Sequence, residues 1–211
     1  MILLWYLISI LTPFETAPIA RVHYGGGGDW YGNKTSIQNI FRMYEQTFKQ
    51  TLPLKEDVVR LSDTKLFSYP VLYLSGHGNV FFKTSEINHL REYLVNGGFL
   101  FIDDDFGLDP FIRREMKKVF PNSSFIELPF SHDIYTFPFS FPRGLPKIHE
   151  HHGGQPKGFG LYYQDRMVAF YSYNTDISDG CEDKEIHGHS ESIRLNALKM
   201  GTNILSYALN N

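Results

Sequence analysis

The chain has one cysteine, Cys181, among its 211 residues. That excludes an internal disulfide and any zinc cluster built on several thiolates. It has no excess of basic charge either. The formal net charge is −3, which leaves no electrostatic footprint for nucleic acid, and no nucleic-acid partner is expected. No apolar run reaches the roughly 20 residues needed to cross a bilayer, so no membrane span is expected in the mature chain. The Gly25–Gly28 run does not open directly into a helix with G-x-G-x-x-G spacing, and no Gly-Lys-Ser/Thr closes it as in a Walker loop. Ser75 is not in a G-x-S-x-G elbow. Internal repeats and linkers are missing too, and this length builds one sizeable α/β core without a second domain.

The first residues are read separately. Ile2–Leu11 is apolar apart from Ser9; Thr12-Pro13 breaks the run, and the small residues Ala17 and Ala20 follow. The pattern fits a signal-peptide core, although no Lys or Arg precedes it and Glu15-Thr16-Ala17 is a poor cleavage triplet. The competing reading is a buried or docking N-terminal segment. Residues 1–18 are therefore expected to be a signal peptide or N-terminal apolar segment, and residues 19–211 a single α/β domain. The expected location is periplasmic or otherwise exported, and cytoplasmic if the segment is retained.

The stretch around which the chain is organised is Gly97–Pro110, GGFLFIDDDFGLDP. Phe99–Ile102 is a continuous apolar run of strand length, as in a strand covered on both faces. Asp103, Asp104 and Asp105 follow where that strand is expected to leave the sheet. In an open α/β sheet, ligands bind beyond the carboxyl ends of the strands. Three adjacent carboxylates repel one another, so they must be solvated, hydrogen-bonded, partly protonated or bound to a cation.

Elsewhere the pattern alternates strands and helices. Ile19–Tyr24 reads as a first strand, Thr35–Gln50 as a helix with a Thr35/Gln38 capping box, and Val58–Leu61 and Val71–Leu74 as strands. Ser85–Val95 reads as a second helix stopped at Asn96-Gly97, and Asp109-Pro110 opens a third, whose Arg113, Arg114, Lys117 and Lys118 make a solvated face. Phe125–Leu128 is a further strand. A proline-rich tract with His132, His149, His151 and His152 follows, and long irregular tracts of this kind are usually functional or mobile. Gly158–Tyr163 and Arg166–Tyr173 form a hairpin, Asn174–Ser190 is polar and acidic, and Glu191–Ala208 is the last helix, with Gly201 marking close packing. This order implies a mostly parallel sheet with crossover helices. Its strand ends would gather the glycine loop, the His77 loop and the Asp103–Asp105 loop on one edge.

Five stretches carry a family likeness: ARVHYGGGGDWY, LYLSGHGNV, LREYLVNGGFLFIDDDFGLDPFIRREMKKVFP, GLPKIHEHHGG and YSYNTDISDGCED. Through them the chain, from Ile19 onward, resembles a bacterial family known only as a domain of unknown function. Members of that family are often secreted or belong to envelope proteins. More distantly the chain is similar to the ThuA-like (trehalose-utilisation) group, through Val71–Leu74, Ser85–Gly98, Phe99–Ile102, His132-Asp133-Ile134 and Gly144-Leu145-Pro146 in that order. The resemblance implies a flavodoxin-like, class I glutamine-amidotransferase-like fold, a mostly parallel sheet with helices on both faces. It transfers no activity. True glutamine amidotransferases carry a nucleophilic Cys on the turn after the central strand. This chain has Asp103 and Asp104 there, and Cys181 lies in a polar segment with no activating context, so amidotransferase chemistry is not expected.

The candidate residues follow. Asp103, Asp104 and His77 are the catalytic candidates; His77 stands between two glycines at a strand end, which leaves its ring reachable. Gly26, Gly27, Asp29, Trp30, Asp105, His132 and His149 are the ligand-binding candidates, with Gly26 and Gly27 either cradling a phosphate or making a tight turn. Trp30 could stack on a sugar, although in a chain with 16% aromatic residues core and loop packing is the safer account. Asp104, His149 and His151 are candidates for a divalent metal, the one cofactor the sequence suggests; a surface loop is the competing reading of the histidines. His187 and His189 read as solvated. Two functions are consistent with this: acid–base or metal-assisted chemistry on a small polar ligand, with carbohydrate suggested by the ThuA-like likeness alone, or a non-catalytic envelope module that binds a ligand or envelope proteins through the same edge.

Overall fold

The computed structural model describes residues 17–53, 55–150 and 153–211. The apolar segment Ile2–Leu11 lies outside these residues, as do His151 and His152. The chain order is β1 (Ile19–Val22), α1 (Ser36–Phe48), β2 (Asp57–Val59), β3 (Val71–His77), α2 (Thr84–Val95), β4 (Phe99–Phe106), α3 (Asp109–Val119), β5 (Ile126–Glu127), β6 (Lys157–Tyr163), β7 (Arg166–Tyr173), α4 (Ile177–Cys181), α5 (Lys184–His187) and α6 (Glu191–Asn210). The strands form one seven-stranded sheet in the order β2-β1-β3-β4-β7-β6-β5. Pairs from β2 through β7 are parallel, and the β7–β6 and β6–β5 pairs are antiparallel. The protein is thus an α/β domain on a mixed, mostly parallel sheet.

Alternation along each strand explains the layers, because successive side chains point to opposite faces. On one face Val71, Tyr73, Phe99, Phe101 and Phe170 pack with Ile37 and Phe41 of α1 and Met200 and Ile204 of α6. On the other, Leu72, Leu74, Leu100, Ile102 and Tyr171 pack with Leu90 and Leu94 of α2 and Ile112 and Met116 of α3. With both faces covered, Leu100 and Ile102 are fully buried. Gly201 is where α6 meets α1: a Cβ there would lie 2.8 Å from Ile40 Cδ1. Among the described residues no helix is long and apolar enough to cross a membrane.

Four local expectations need correction. The strands β3 and β4 do not stop at Leu74 and Ile102; the ladder continues through Ser75–Asp103 and Gly76–Asp104. Backbone pairing with a neighbouring strand outlasts the apolar side chains that advertise it. Thr35 caps α1 without a side-chain hydrogen bond; its N–H donates to Glu182 Oε1 (2.8 Å) and its hydroxyl accepts from Asp183 N (3.0 Å), tying α1 to the α4–α5 segment. The basic face of α3 is not simply solvated: the Arg113 guanidinium sits 4.6 Å over the Phe159 ring, and Arg114 and Lys118 both pair with the buried Glu115 at 2.7 Å. Finally, the proline-rich tract packs mostly against α6, where Asn203 donates to Ile134 O and Phe139 O. Its later part reaches the strand edge: the Thr175 hydroxyl donates to Pro146 O, Lys147 Nζ donates to Asn174 O (3.0 Å), and Ile148 N and His149 N donate to Thr175 O.

Candidate functional site

The carboxyl ends of β1, β3, β4 and β7 form one edge, and the chain builds it from buried polar side chains. Arg21 of β1 is 2% exposed. Its guanidinium donates to Glu56 Oε1 (2.9 Å), Gly32 O (2.7 Å) and Asn33 O (2.9 Å), which pins the loop after β1 to the sheet. The glycines of that loop permit close backbone approach. Gly26 has φ +109°, and a Cβ on it would lie 2.8 Å from Phe81 N. Phe81 N donates to Gly25 O, and Gly28 N to Asn79 O. The loop is therefore knitted to the 78–81 segment, the tight-turn reading of the glycines, with Gly27 at its exposed apex. Trp30 stacks on His23 at 4.1 Å.

The same contact brings Asp29 to His77. Asp29 Oδ1 accepts from the His77 backbone N–H, and His77 Nδ1 lies 3.0 Å from Asp29 Oδ2. Both side chains are partly exposed, at 49% and 37%. A carboxylate on Nδ1 favours the tautomer with its proton there and the lone pair on Nε2, the arrangement of an oriented general base.

The aspartate triplet is split by the pleat. Asp104 turns to the α2–α3 side: its Oδ1 accepts from Leu108 N (3.1 Å), capping the turn into α3. Asp103 turns to the other face, where it accepts from the Ser172 hydroxyl, the Ser178 hydroxyl and, at 2.7 Å, the Ser178 N–H. The β3–β4 pairing passes from Gly76–Asp104 to His77–Phe106 and skips Asp105, so Asp105 occupies a bulge of the kind that re-aims a side chain beside functional sites. Asn33 Nδ2 donates to both Asp105 oxygens at 3.3 Å.

The short helix α4 closes over this face. Gly180 makes that possible, because a Cβ there would lie 2.5 Å from Ala197 Cβ of α6. Asp176 and Asp179 thereby join Asp103 and Asp105, all at most 7% exposed. Burial pushes the Asp103 carboxyl up from 3.8 to about 6, against the serine hydrogen bonds that favour its charged form. Burial, reinforced by Asp103, Asp179, Asp29 and Asp104, pushes Asp105 well above the ordinary carboxylate range. Burial and then Asp103 and Asp105 raise Asp176 from 3.8 to about 11. At neutral pH the cluster retains protons, or its charge is met by a cation.

At the outer end of the cluster stand three histidines. His149 Nδ1 is 3.3 Å from Asp179 Oδ2 and 3.8 Å from Asp176 Oδ2, and His187 Nε2 is 3.6 Å from Asp179 Oδ1. One donor atom each from His149, Asp179 and His189 lie within 4.8 Å of one another, a set that can hold a metal ion.

Of the expected site residues, Gly26, Asp29, His77 and Asp105 come together, and His149 stands beside Asp176 and Asp179 of the acid cluster. Asp104 serves the opposite face, apart from His149. His132 is not at this edge: its Nδ1 accepts from Ile134 N and its ring packs 5.3 Å from Tyr207. Cys181 is fully buried, and burial pushes its thiol well above its usual range, the reverse of an activated nucleophile. Sequence reasoning missed Asp176, Asp179, His187 and His189. Their signals were a D-x-x-D one helical turn apart and an H-x-H, both inside a segment that reads as solvated.

Fold and edge together define an α/β domain with a polar, carboxylate-rich strip at the carboxyl ends of its parallel strands. The profile of the family described as "Domain of unknown function (DUF4159)" matches residues 18–209, and the chain belongs to that family. No curated protein matches the chain.

Proposed function

We propose that this protein handles a small polar ligand at the carboxyl edge of its sheet, with carbohydrate the first class to test, and that Asp29 and His77 supply acid–base chemistry there. The single observation that carries the reading is the Asp29–His77 pair: a reachable imidazole, oriented by a carboxylate, at the end of a central strand. Asp29 is also within electrostatic range of Asp105, so the base adjoins buried acids that keep their protons. The fold is read as flavodoxin-like, because β2-β1-β3-β4-β7 reproduces that fold's order of parallel strands and β6 and β5 extend it. The ThuA-like relation supplies the carbohydrate class and nothing more.

The test is a panel of mono- and disaccharides and sugar acids, followed by ligand-observed NMR and by product analysis. Binding and turnover should fall in His77→Ala and Asp29→Asn at unchanged thermal stability. Binding without turnover would leave the same edge to a non-catalytic envelope module. If no compound binds, or if both variants bind as the wild type does, the reading fails.

A further inference from the structure

The corner formed by His149, Asp179, His187 and His189 shares no residue with the Asp29–His77 pair, and its four side chains come from separate segments: the end of the proline-rich tract, α4, the last turn of α5, and the residue before the cap of α6. We propose that His149, Asp179 and His189 bind one divalent first-row transition ion of the zinc class, and that His187 holds Asp179 in position.

Three observations support this. The His149 Nδ1 to Asp179 Oδ2 separation is 3.3 Å, which is already about the distance between two ligands of one tetrahedral zinc with bonds of roughly 2.0–2.2 Å. The full set, within 4.8 Å, needs only small rotations of two imidazoles that are not fully buried to close on a common centre. His189 Nε2 is shut off from solvent and has no hydrogen-bond partner among the described residues. A buried ring nitrogen in that condition needs a reason, and simple His–carboxylate pairing is not one, because Asp179 is already engaged by His149 and His187. An ion at the centre of the three groups would engage that nitrogen.

The donor set chooses the ion. Two imidazoles and one carboxylate suit zinc, iron or manganese, whereas calcium and magnesium prefer oxygen alone. Asp176 Oδ2, 3.8 Å from His149 Nδ1, places one more carboxylate oxygen beside the three ligands. Three protein ligands also leave at least one coordination position for water or a ligand, as catalytic rather than purely structural zinc sites do. His187, 3.6 Å from Asp179 Oδ1, is placed to orient the ligating carboxylate from outside, a position whose loss typically weakens metal binding about 10–100-fold.

The inference does not rest on the acid–base reading, and the experiment separates the two. The full chain, stripped with chelator, is titrated with Zn²⁺ by calorimetry, and Co²⁺ is followed by its visible absorption. The expected result is one ion per chain, with Zn²⁺ affinity lowered about 100-fold or more in His149→Ala and in His189→Ala, about 10-fold in His187→Ala, and unchanged in His77→Ala and His132→Ala. The two ligand variants replace side chains that are not fully buried, so their folding can be verified by unaltered circular dichroism. The histidine ring protons of residues 149 and 189 should shift together on zinc addition in NMR spectra of the wild type. No saturable binding, or binding equal in the wild type and both ligand variants, overturns the proposal. So does a loss of zinc in His77→Ala.

Discussion

Glu115 and Asp176 are both buried acids, 0% and 1% exposed, but they are buried in different ways. Glu115 lies on α3, on the α2–α3 side of the sheet, and its neighbours in the same helix serve it. Arg114 and Lys118 pair with it, and Phe82 N donates to it at 3.1 Å. Burial alone would raise its carboxyl, but these hydrogen bonds outweigh burial and hold it below its usual value. Asp176 lies on the opposite side among Asp103, Asp105 and Asp179, and burial and those neighbours push it up to about 11. The buried guanidinium of Arg21 is committed to Glu56 and to loop carbonyls. A carboxylate that the fold buries for structural reasons comes with its own cations. Carboxylates gathered from distant segments, each raising the others, are a device for holding protons or a metal.

The comparison can be tested from its shared floor outward. Strand β4 carries acids to both faces, and Ile102→Ala should cost about 2–5 kcal/mol in urea unfolding. A loss well under ~1 kcal/mol would mean that β4 is not the common floor. Glu115→Gln should destabilise by about 1–3 kcal/mol, because Phe82 N loses a charged acceptor and two cations lose their partner. A neutral result would remove the structural role assigned to the α3 acid. Asp176→Asn, measured in chelator, should raise stability by about 0.5–2 kcal/mol, the usual gain from relieving a functional site. A destabilised variant would mean that Asp176 is a structural partner like Glu115.

The smallest and sharpest effect is in pH. Below 3.8, Asp103 and Asp176 are protonated in both folded and unfolded chains. As pH rises past that value the unfolded chain releases protons that the folded chain keeps, so these groups lower stability progressively, up to about 6 for Asp103 and about 11 for Asp176. Glu115 has the opposite sign: its contribution is complete above 4.5 and is lost as pH falls through its lowered folded value. The gain from Asp176→Asn should therefore grow between about pH 4 and pH 8. The Glu115→Gln penalty should stay level above about pH 5 and shrink below it. Parallel profiles for the two variants would erase the distinction.

Much of the scaffold was legible, and the reason is periodicity. The apolar run at Phe99–Ile102, the α1 stripe of Ile37, Ile40 and Phe41, and the Arg166–Tyr173 strand each repeat at the spacing of the element they form. The helix start at Asp109-Pro110 was legible through proline's preference for the first turn. The candidate site was legible only where a residue was conspicuous in its own segment, as with His77 between glycines or Asp29 after four of them. The division of labour in Asp103–Asp105 was not visible, because the apolar pattern ends before the strand does. Once β4 is known to run to Phe106, alternation separates Asp104 from Asp103. The α4–α5 segment hid its role because it is polar throughout, and only contact with Asn39, whose side-chain amide donates to Cys181 O, and the Gly180–Ala197 approach draw it onto the sheet.

Sequence by itself determined an α/β chain with a central β4, two apolar faces, no thiol chemistry at the strand edge and a cluster of acids that had to be reconciled somehow. These follow from local spacing and from residue chemistry, which act within one element. Tertiary structure decided the partners: Asp29 with His77 across 48 residues, Asp103 with Ser178 across 75, and His149 with Asp179 across 30. Such pairings depend on strand order, on a bulge at Asp105 and on glycines that let backbones touch. The free energy that holds them belongs to the packed whole, and no single segment carries it.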